Sequence, residues 1–594
     1  MQHQQNPFRL PIKPKWLASL IEKTLSLSEL ANIYEKRPEA QKVSDSALPF
    51  LQHAIQALGF SFTTENPEAL ESVPEAGPLI IVANHPLGGL EGIAMSEQLL
   101  QLRPDLKVLT NELLATIPEV SDLFIGVDVL SKNAAKSNAK GLRQASSHLA
   151  NGGALLIYPA GKVSEMDAKT GKIEDRSWST LVGSLLKRHQ AHCLPCYVTG
   201  QNSKLFYTAG FIHRRLRTAL LARELVNKRG QTFTMRVGEL ITPRDYQSID
   251  DKQTLTDYLR VTTDLLSLNN NVPEPKKEND FAPLNLITHL PSREQAIAKQ
   301  LRSLEDCLLV KKRNFSVYCA NYQRLGLVME DIALAREVTF RAAGEGTGKQ
   351  LDSDQFDPNY LHLFVWDNDE NCLVGGYRMA NVQDIVAKQG LDALYSHSLY
   401  HFDENYIKRL GGCLEMGRSF IVPKYQRHPR ALDLLWQGIG QYIAKHPQYH
   451  TLFGCVSISH EHSELAQAFI SDSMISAFRA EQHYLNDVKP RTPLQVKGKV
   501  WSTKILASLS NIAIINKLVG QCQPGKAVPI ILRHYLALNG RFVCFSVNNS
   551  FNQSLDGLII VDLRKTPEKY LNRYLGQEGS QRFLAKWREH EAAA

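Results

Sequence analysis

The stretch Pro78-Leu-Ile-Ile-Val-Ala-Asn-His-Pro-Leu-Gly-Gly-Leu-Glu-Gly92 decides how the first half of the chain is read. Pro78 to Ala83 is a short apolar run, which predicts a strand. A Gly-rich turn follows, with His85 just past the strand end. Loops at strand ends hold reactive groups on a rigid frame. An imidazole there takes a hydroxyl proton near neutral pH. A nearby carboxylate such as Glu91 fixes its tautomer and stabilises the imidazolium. Taken alone, the same two residues also fit a histidine that caps a turn beside a surface glutamate.

Two further apolar runs repeat the pattern: Ala154-Leu-Leu-Ile-Tyr158 and Cys193-Leu-Pro-Cys-Tyr-Val198. Strands separated by helical stretches predict an α/β fold. Upstream, residues 7–60 read as helices. Pro14 opens the first, and Leu17, Leu20, Ile21 and Leu25 recur at helical spacing among Lys13, Lys15 and Lys23. That pattern fits a basic amphipathic helix on a membrane surface, and equally a packed helix with a solvated face. Around Asn269-Asn-Asn-Val-Pro-Glu-Pro-Lys-Lys-Glu-Asn279 the apolar pattern stops, as in a solvated linker. The expected division is a domain over 1–268, a linker over 269–295 and a second domain over 296–594. In the second, Leu361-His-Leu-Phe-Val-Trp366 is the clearest strand. Asp367-Asn-Asp-Glu-Asn371 is a hairpin turn by composition, leading into Cys372-Leu-Val-Gly-Gly-Tyr-Arg378.

The composition agrees with a multidomain globular protein. The chain has 594 residues, 43% hydrophobic and 22% charged, too long for one core. A net charge of +8 favours acidic partners: a carrier protein, anionic headgroups or nucleic acid. No zinc-finger spacing, basic-region heptad or RNP-like aromatic motif supports nucleic acid. The nine cysteines are scattered and read as reduced thiols, the Cys193/Cys196 pair included. The N-terminus lacks a signal-peptide pattern. No apolar run reaches the roughly 18 residues that span a bilayer. The expected setting is the cytosol, with any membrane association peripheral.

The segment around His85 resembles the first motif of the glycerolipid acyltransferase superfamily, in which a histidine and an acidic residue form a dyad. Tyr158-Pro-Ala-Gly161 is similar to its Phe-Pro-Glu-Gly motif, and Leu194-Pro-Cys-Tyr-Val198 to its late apolar strand. The likeness covers about residues 75–245. It implies O-acyl transfer with His85 and Glu91 catalytic, and substrate contacts from Asn84, Gly88, Gly89, Tyr158, Pro159, Gly161 and Lys162. The departures matter. The usual Asp stands five residues after the His, whereas Glu91 stands six after; the extra glycine and longer side chain are together expected to restore the reach. Ala160 replaces the third motif's Glu. In Phe124-Ile-Gly-Val-Asp128, Val127 stands where the second motif carries an Arg. A phosphate wants a bidentate cation, so the acceptor is expected not to be a glycerophosphate. Lys162 and Arg223 remain as contacts for an acidic headgroup or carrier.

The second half carries Arg336-Glu-Val-Thr-Phe340, Asp354-Gln-Phe-Asp357, Gly375-Gly-Tyr-Arg378 and Glu415-Met-Gly-Arg-Ser-Phe-Ile-Val422. This series resembles acyl-homoserine lactone synthases and bacterial ornithine N-acyltransferases, both of the GNAT-like fold. Leu434-Leu-Trp436 and Leu452-Phe-Gly-Cys-Val-Ser457 extend the ornithine-type likeness. It covers about residues 315–475. It implies amide formation, with Glu415 taking the amine proton and Arg336, Phe340, Asp354, Asp357, Arg378 and Arg418 binding substrate. Asp354 and Asp357 either hold a cationic amino acid or cap a turn. Strict alternation puts Arg418 on the opposite face from Glu415 unless a bulge intervenes. In the stretch where CoA-using relatives have a pyrophosphate loop, Gln426-Arg-His-Pro-Arg-Ala431 has Pro429, which lacks an N–H. That favours acyl carrier protein, with its 4′-phosphopantetheine thioester, as donor, met by Arg427 and Arg430; no bound cofactor is expected. Gly344-Glu-Gly-Thr-Gly-Lys349 falls short of a P-loop. His460 and His462 lack a convergent third ligand, so no metal is expected.

Together the halves resemble bifunctional ornithine lipid synthases. The second half would move a 3-hydroxyacyl group onto the α-amine of ornithine, and the first would acylate the 3-hydroxyl of that lyso-ornithine lipid. Other amino acids (glycine, lysine, glutamine) remain open. So do a lysophospholipid acyltransferase fused to an acyl-amino acid signal synthase, and a membrane-binding scaffold.

Overall fold

The structure is a computed structural model, and it describes residues 6–37, 47–111, 117–127, 138–268 and 291–593. The linker segment Asn269–Asn279 and Asp128 lie outside the described residues. The chain forms two compact units: Met1–Asn269 with Val500–Ser508, and Asn270–Lys499 with Leu509–Ala594. The single cut expected near the linker is thus joined by a second exchange, because nine residues of the later sequence fold with unit 1. In unit 1, Ser508 donates through Oγ to Asp257 at 2.8 Å.

Unit 1 is an α/β layer built on β1 (Ser61–Glu65), β2 (Leu79–Ala83), β3 (Lys107–Asn111), β4 (Phe124–Val127) and β5 (Ala154–Ile157). The two-residue pair β6 (Glu165–Met166) and β7 (Ile173–Glu174) follows, then β8 (His192–Val198) and β9 (Thr232–Val237). The seven-stranded sheet runs β1-β9-β8-β2-β5-β3-β4. Its strands are parallel except at β8/β9. Every residue of β2 and β5 is buried, as expected of central parallel strands covered on both faces. The carboxyl ends of β2 and β5 lie side by side, which is where open α/β sheets place their sites. Cys193 and Cys196 sit three apart on β8, so they point to opposite faces. Burial pushes both thiols up, Cys196 to about 12.

The predicted N-terminal helix spans Lys15–Thr24. Its expected apolar face is turned inward in part, with Leu17, Ile21 and Leu25 half-buried. Ala18 and Glu22 are buried, whereas Trp16 and Leu20 are exposed. Glu22 is held by Arg9 at 3.2 Å and by the Leu10 N–H at 2.7 Å, so a charge-assisted contact joins the Leu stripe on the inward face.

Unit 2 contains β10 (Leu308–Lys312), β11 (Phe315–Asn321), β12 (Leu361–Asp367), β13 (Cys372–Asn381), β14 (Tyr400–His401) and β15 (Cys413–Ile421). It continues with β16 (Thr451–Ile458), β17 (Lys489–Pro490), β18 (Arg541–Asn548) and β19 (Ser554–Asp562). The eight-stranded sheet runs β10-β11-β12-β13-β15-β16-β19-β18, and β14 pairs with β17. The β12–β13 hairpin forms where the Asn/Asp turn predicts it, with Asn371 in the left-handed region. β15 and β16 are parallel neighbours over only Cys413–Met416 and Thr451–Gly454. Beyond that the β15 end, from Gly417 to Ser419, is half-exposed. The α/β class holds for both units.

Candidate active sites

In unit 1, β2 ends at Ala83 and the chain turns at Gly88 (φ 97°) into the helix Gly89–Leu102. A Cβ at Gly88 would sit 2.8 Å from the Leu221 side chain, in a backbone conformation that L residues rarely adopt, so only glycine fits. This turn brings Glu91 back to the strand end. Its Oε1 accepts from the N–H groups of Leu87 (3.1 Å) and Gly88 (2.9 Å), and from His85 Nδ1 at 2.8 Å. The carboxylate thus sits at a helix N-terminus, where negative charge is favoured. Because it only accepts, Nδ1 carries the proton, and Nε2 of the neutral ring keeps its lone pair.

Residues far away in sequence hold this pair. The His85 N–H donates to Asp175 Oδ1 at 3.2 Å, and its carbonyl accepts from the Ser164 N–H at 2.7 Å. Ser164 Oγ and Trp178 Nε1 donate to the same aspartate. The Tyr158 ring stacks on the imidazole at 4.6 Å. Burial disfavours the imidazolium, but Glu91, its hydrogen bond and Asp175 outweigh it, and the His85 pKa is raised. Asp175 and Ser164 carry no motif; only their placement reveals them. Asn84 is engaged with β8: it donates to the Val198 carbonyl (2.9 Å) and accepts from its N–H (2.7 Å).

His85, Gly88, Gly89, Tyr158, Pro159, Gly161 and Lys162 all line one cavity of about 1540 Å³. Its remaining wall is largely apolar, with Phe50, Leu51, Ile93, Phe124, Phe206 and Leu225 among the residues. That exceeds the roughly 300–1,000 Å³ of small-molecule sites and suits acyl chains. Val127, at the position of the family's arginine, lines it as well. Arg223 is exposed and is not in the wall. A histidine base in such a cavity can deprotonate a hydroxyl presented to a thioester.

In unit 2 the predicted polar residues converge on one network. Arg336, buried on the helix Leu327–Ala342, donates to Asp357 at 2.8 Å and to His362 Nδ1 at 3.2 Å. His362 is therefore neutral, its Nε2–H facing the Asp357 carbonyl; burial and Arg336 press its pKa down to about 4. Arg378 donates to Asp354 (2.5 Å) and Asp357 (3.0 Å). Burial works against the Asp357 carboxylate, but Arg336 and Arg378 hold its pKa well below the usual range. Between Gly417 and Phe420, β15 holds one residue more than the facing Gly376–Arg378 of β13, a bulge that leaves Arg418 in the left-handed region (φ 47°). The bulge breaks strict alternation, and Arg418 reaches Asp352 at 2.9 Å and Asp354 at 3.4 Å. Its guanidinium lies over the Tyr395 and Phe551 rings, and Phe551 packs on Phe340. Asp354 and Asp357, the residues considered for a cationic substrate, therefore already have arginine partners.

Removing one member of so buried a network leaves an uncompensated charge. Arg336→Met is expected to destabilise unit 2 by about 3–5 kcal/mol. The check is the chemical-denaturation midpoint; an unchanged midpoint removes Arg336 from the fold's charge balance.

Glu415 is buried on β15 beside this network but pairs with none of its arginines among the described residues. Tyr360 donates its hydroxyl to Oε2, and the Ser396 N–H donates to Oε1 at 2.5 Å. The Tyr395 N–H in turn donates to the Tyr360 hydroxyl at 2.9 Å. Two more carboxyls lie close by without an ion pair among the described residues. Asp556 on β19 accepts from Asn548 (2.9 Å) and Ser554 (3.0 Å), and Asn548 also donates to the Tyr395 hydroxyl. Burial lifts Asp556 to about 6 and Glu345 to about 8. Tyr360, Tyr395 and Asp556 stand in no motif, and Asp556 comes from the late hairpin.

The remaining candidates fall elsewhere. Arg427 is exposed and Arg430 half-buried, just before the helix Ala431–Lys445. The Gly344–Lys349 loop wraps a carboxylate of its own: Glu337 accepts from the N–H groups of Thr347 and Gly348. His460 contacts the Gly344 carbonyl and His462 the Ala527 carbonyl.

Comparison with known proteins agrees with this division. Residues 46–272 match the acyltransferase family, and residues 335–437 match the acetyltransferase (GNAT) domain family. A glycine N(alpha)-acyltransferase of Bacteroides thetaiotaomicron is 31% identical over 28% of this chain; the match spans about half (53%) of that relative's length. A lyso-glycine lipid O-acyltransferase of Phocaeicola vulgatus is 25% identical over 43% of this chain and 87% of its own. An L-ornithine N(alpha)-acyltransferase of Rhizobium meliloti is 27% identical over 41% of this chain and 77% of its own. The chain therefore joins two acyltransferase domains, one related to O-acyltransferases and the other, of GNAT type, related to N-acyltransferases.

Proposed function

We propose that the chain builds a two-tailed amino-acid lipid in two steps. Unit 2 transfers a 3-hydroxyacyl group from acyl carrier protein to the α-amine of ornithine. The nitrogen forms the C–N bond as its proton passes to Glu415; the C–S bond breaks, and the thiolate takes up a proton. Unit 1 then acylates the 3-hydroxyl: His85 Nε2 takes the hydroxyl proton and returns it to the departing thiolate. The observation that carries this reading is the His85–Glu91 pair on the wall of a large apolar cavity, in one chain with a GNAT-type domain. Val127, where a phosphate-binding arginine would stand, supports a phosphate-free acceptor.

Asp556 and Glu345 support a cationic amino acid. Acids lifted by burial, as these are, are lowered again when an ammonium binds beside them. Glycine is the second reading, favoured by the arginine pairing of Asp354 and Asp357 and by the name of a relative. Pro429 supports acyl carrier protein over CoA as donor, with Arg427 and Arg430 facing its acidic surface.

The test supplies the purified chain with labelled ornithine or glycine, and 3-hydroxyacyl groups on carrier protein or on CoA. Ornithine with the carrier thioester is expected to give the doubly acylated lipid, and the rate is expected to fall with salt. Product from glycine alone transfers the reading to glycine. Equal rates with CoA remove the carrier. No acylated amino acid under any condition overturns the function.

A further inference from the structure

Beside the cavity mouth, the helices Lys204–Ile212 and Arg214–Ala219 expose a run of large apolar side chains. Ile212 is 79% exposed, and Leu205, Phe211 and Leu216 are about half exposed. Their neighbours Phe206 and Tyr207 are buried. An apolar cluster left in water on a folded domain marks an interaction surface.

Two observations say what meets it. The first is continuity. Phe211 and Ile212 are both exposed and part of the wall of the cavity that holds His85. The patch and the cavity interior therefore form one apolar surface. The second is charge. From Lys204 to Asn227 the sequence carries five basic residues (Lys204, Arg214, Arg215, Arg217, Arg223) and one acidic residue, Glu224. Glu224 is buried against Lys228 at 3.3 Å and Arg217 against Glu165 at 3.0 Å, so neither counts at the surface, and the other four basic residues remain without an acidic residue in the same stretch. Apolar tips among basic residues suit the headgroup–acyl boundary of an anionic bilayer.

We propose that the segment Lys204–Ala219 is the face by which unit 1 docks on an anionic lipid bilayer, with the apolar tips of the two helices in the acyl boundary and the cavity mouth opened to it. A lipid acceptor then slides from the bilayer along Phe211 and Ile212 toward His85 without crossing water. The proposal rests on the O-acylation reading for its purpose, but docking itself is measured without catalysis. The N-terminal helix Lys15–Thr24 also exposes apolar residues, Trp16 and Leu20, but neither lines the cavity.

The full-length chain is sedimented with vesicles of phosphatidylethanolamine and phosphatidylglycerol, and with vesicles of phosphatidylcholine alone. The wild-type chain is expected to bind the anionic vesicles preferentially, and less so at high salt. Leu205→Ser with Leu216→Ser, two positions outside the cavity wall, is expected to lower binding about tenfold or more. The same variant should keep its thermal midpoint and its turnover of detergent-dispersed lyso-lipid. Ile212→Asp should lower binding at least as much. Wild-type binding by the Leu205/Leu216 variant overturns the proposal. A wild-type chain that docks but transfers no acyl group overturns the O-acylation reading and leaves the docking face in place.

Discussion

His85→Ala is expected to lower O-acylation of supplied lyso-lipid by roughly 10²–10⁴-fold, the usual loss for a general base, while N-acylation continues and singly acylated product accumulates. The reason is geometric: Glu91 fixes the proton on Nδ1, so Nε2 is the group that can accept one. Glu91 and Asp175 raise the His85 pKa above its ordinary 6.5, against the effect of burial. A raised base is lost early on acidification, so the acid limb of the O-acylation rate is expected above pH 6.5. In Glu91→Gln the burial penalty loses its main opposing charge, and the limb moves to lower pH as the maximal rate falls. The same linkage has a stability side: a raised histidine stabilises the fold below pH 6.5, and that contribution disappears as pH rises through its folded pKa. Rate profiles of the three proteins with dispersed lyso-lipid are the measurement. Normal doubly acylated lipid from His85→Ala would remove the dyad from the reaction, and parallel loss of both activities would signal misfolding.

Glu415→Gln is expected to have a comparably large effect on the other reaction. The substitution keeps size but removes the proton acceptor, so amide formation should fall about 10²–10⁴-fold while O-acylation persists. Glu415 accepts from both Tyr360 and the Ser396 N–H. A glutamine satisfies the second and must turn its amide toward the first, at a cost of about 1–3 kcal/mol for an unsatisfied buried group. The thermal midpoint therefore falls somewhat even if chemistry is untouched, and the rate of the folded variant is the deciding quantity. Asp556→Asn is the companion measurement. If Glu415 takes the proton and Asp556 neutralises the amino acid's side chain, the first variant loses kcat and the second raises KM for ornithine. A folded Glu415→Gln with an unchanged rate passes the proton to another group.

The local signals survived folding because they are local. Pro78–Ala83, Ala154–Tyr158 and Cys193–Val198 form β2, β5 and β8, and Asp367–Asn371 turns the β12–β13 hairpin. His85 and Glu91 are six residues apart, near enough for a turn and one helical turn to join them. The helix Lys15–Thr24 shows the limit: periodicity predicted the helix and most of its inward stripe, but not that Glu22 would be buried against Arg9 and Leu20 left exposed.

By itself, then, the sequence determined the α/β class, the two halves and the residues that carry family motifs, since each is written in contiguous patterns of polarity and turn chemistry. Tertiary structure alone decided the rest. It brought Asp175 to the His85 N–H across 90 residues and enclosed the cavity. It assigned Asp354 and Asp357 to Arg336, Arg378 and Arg418 and left Glu415 to Tyr360. It also folded Val500–Ser508 with unit 1. The physical reason is that a buried charge takes whichever partner the packed chain places within hydrogen-bond reach, and packing is set by all the elements at once, whereas periodicity speaks only for one.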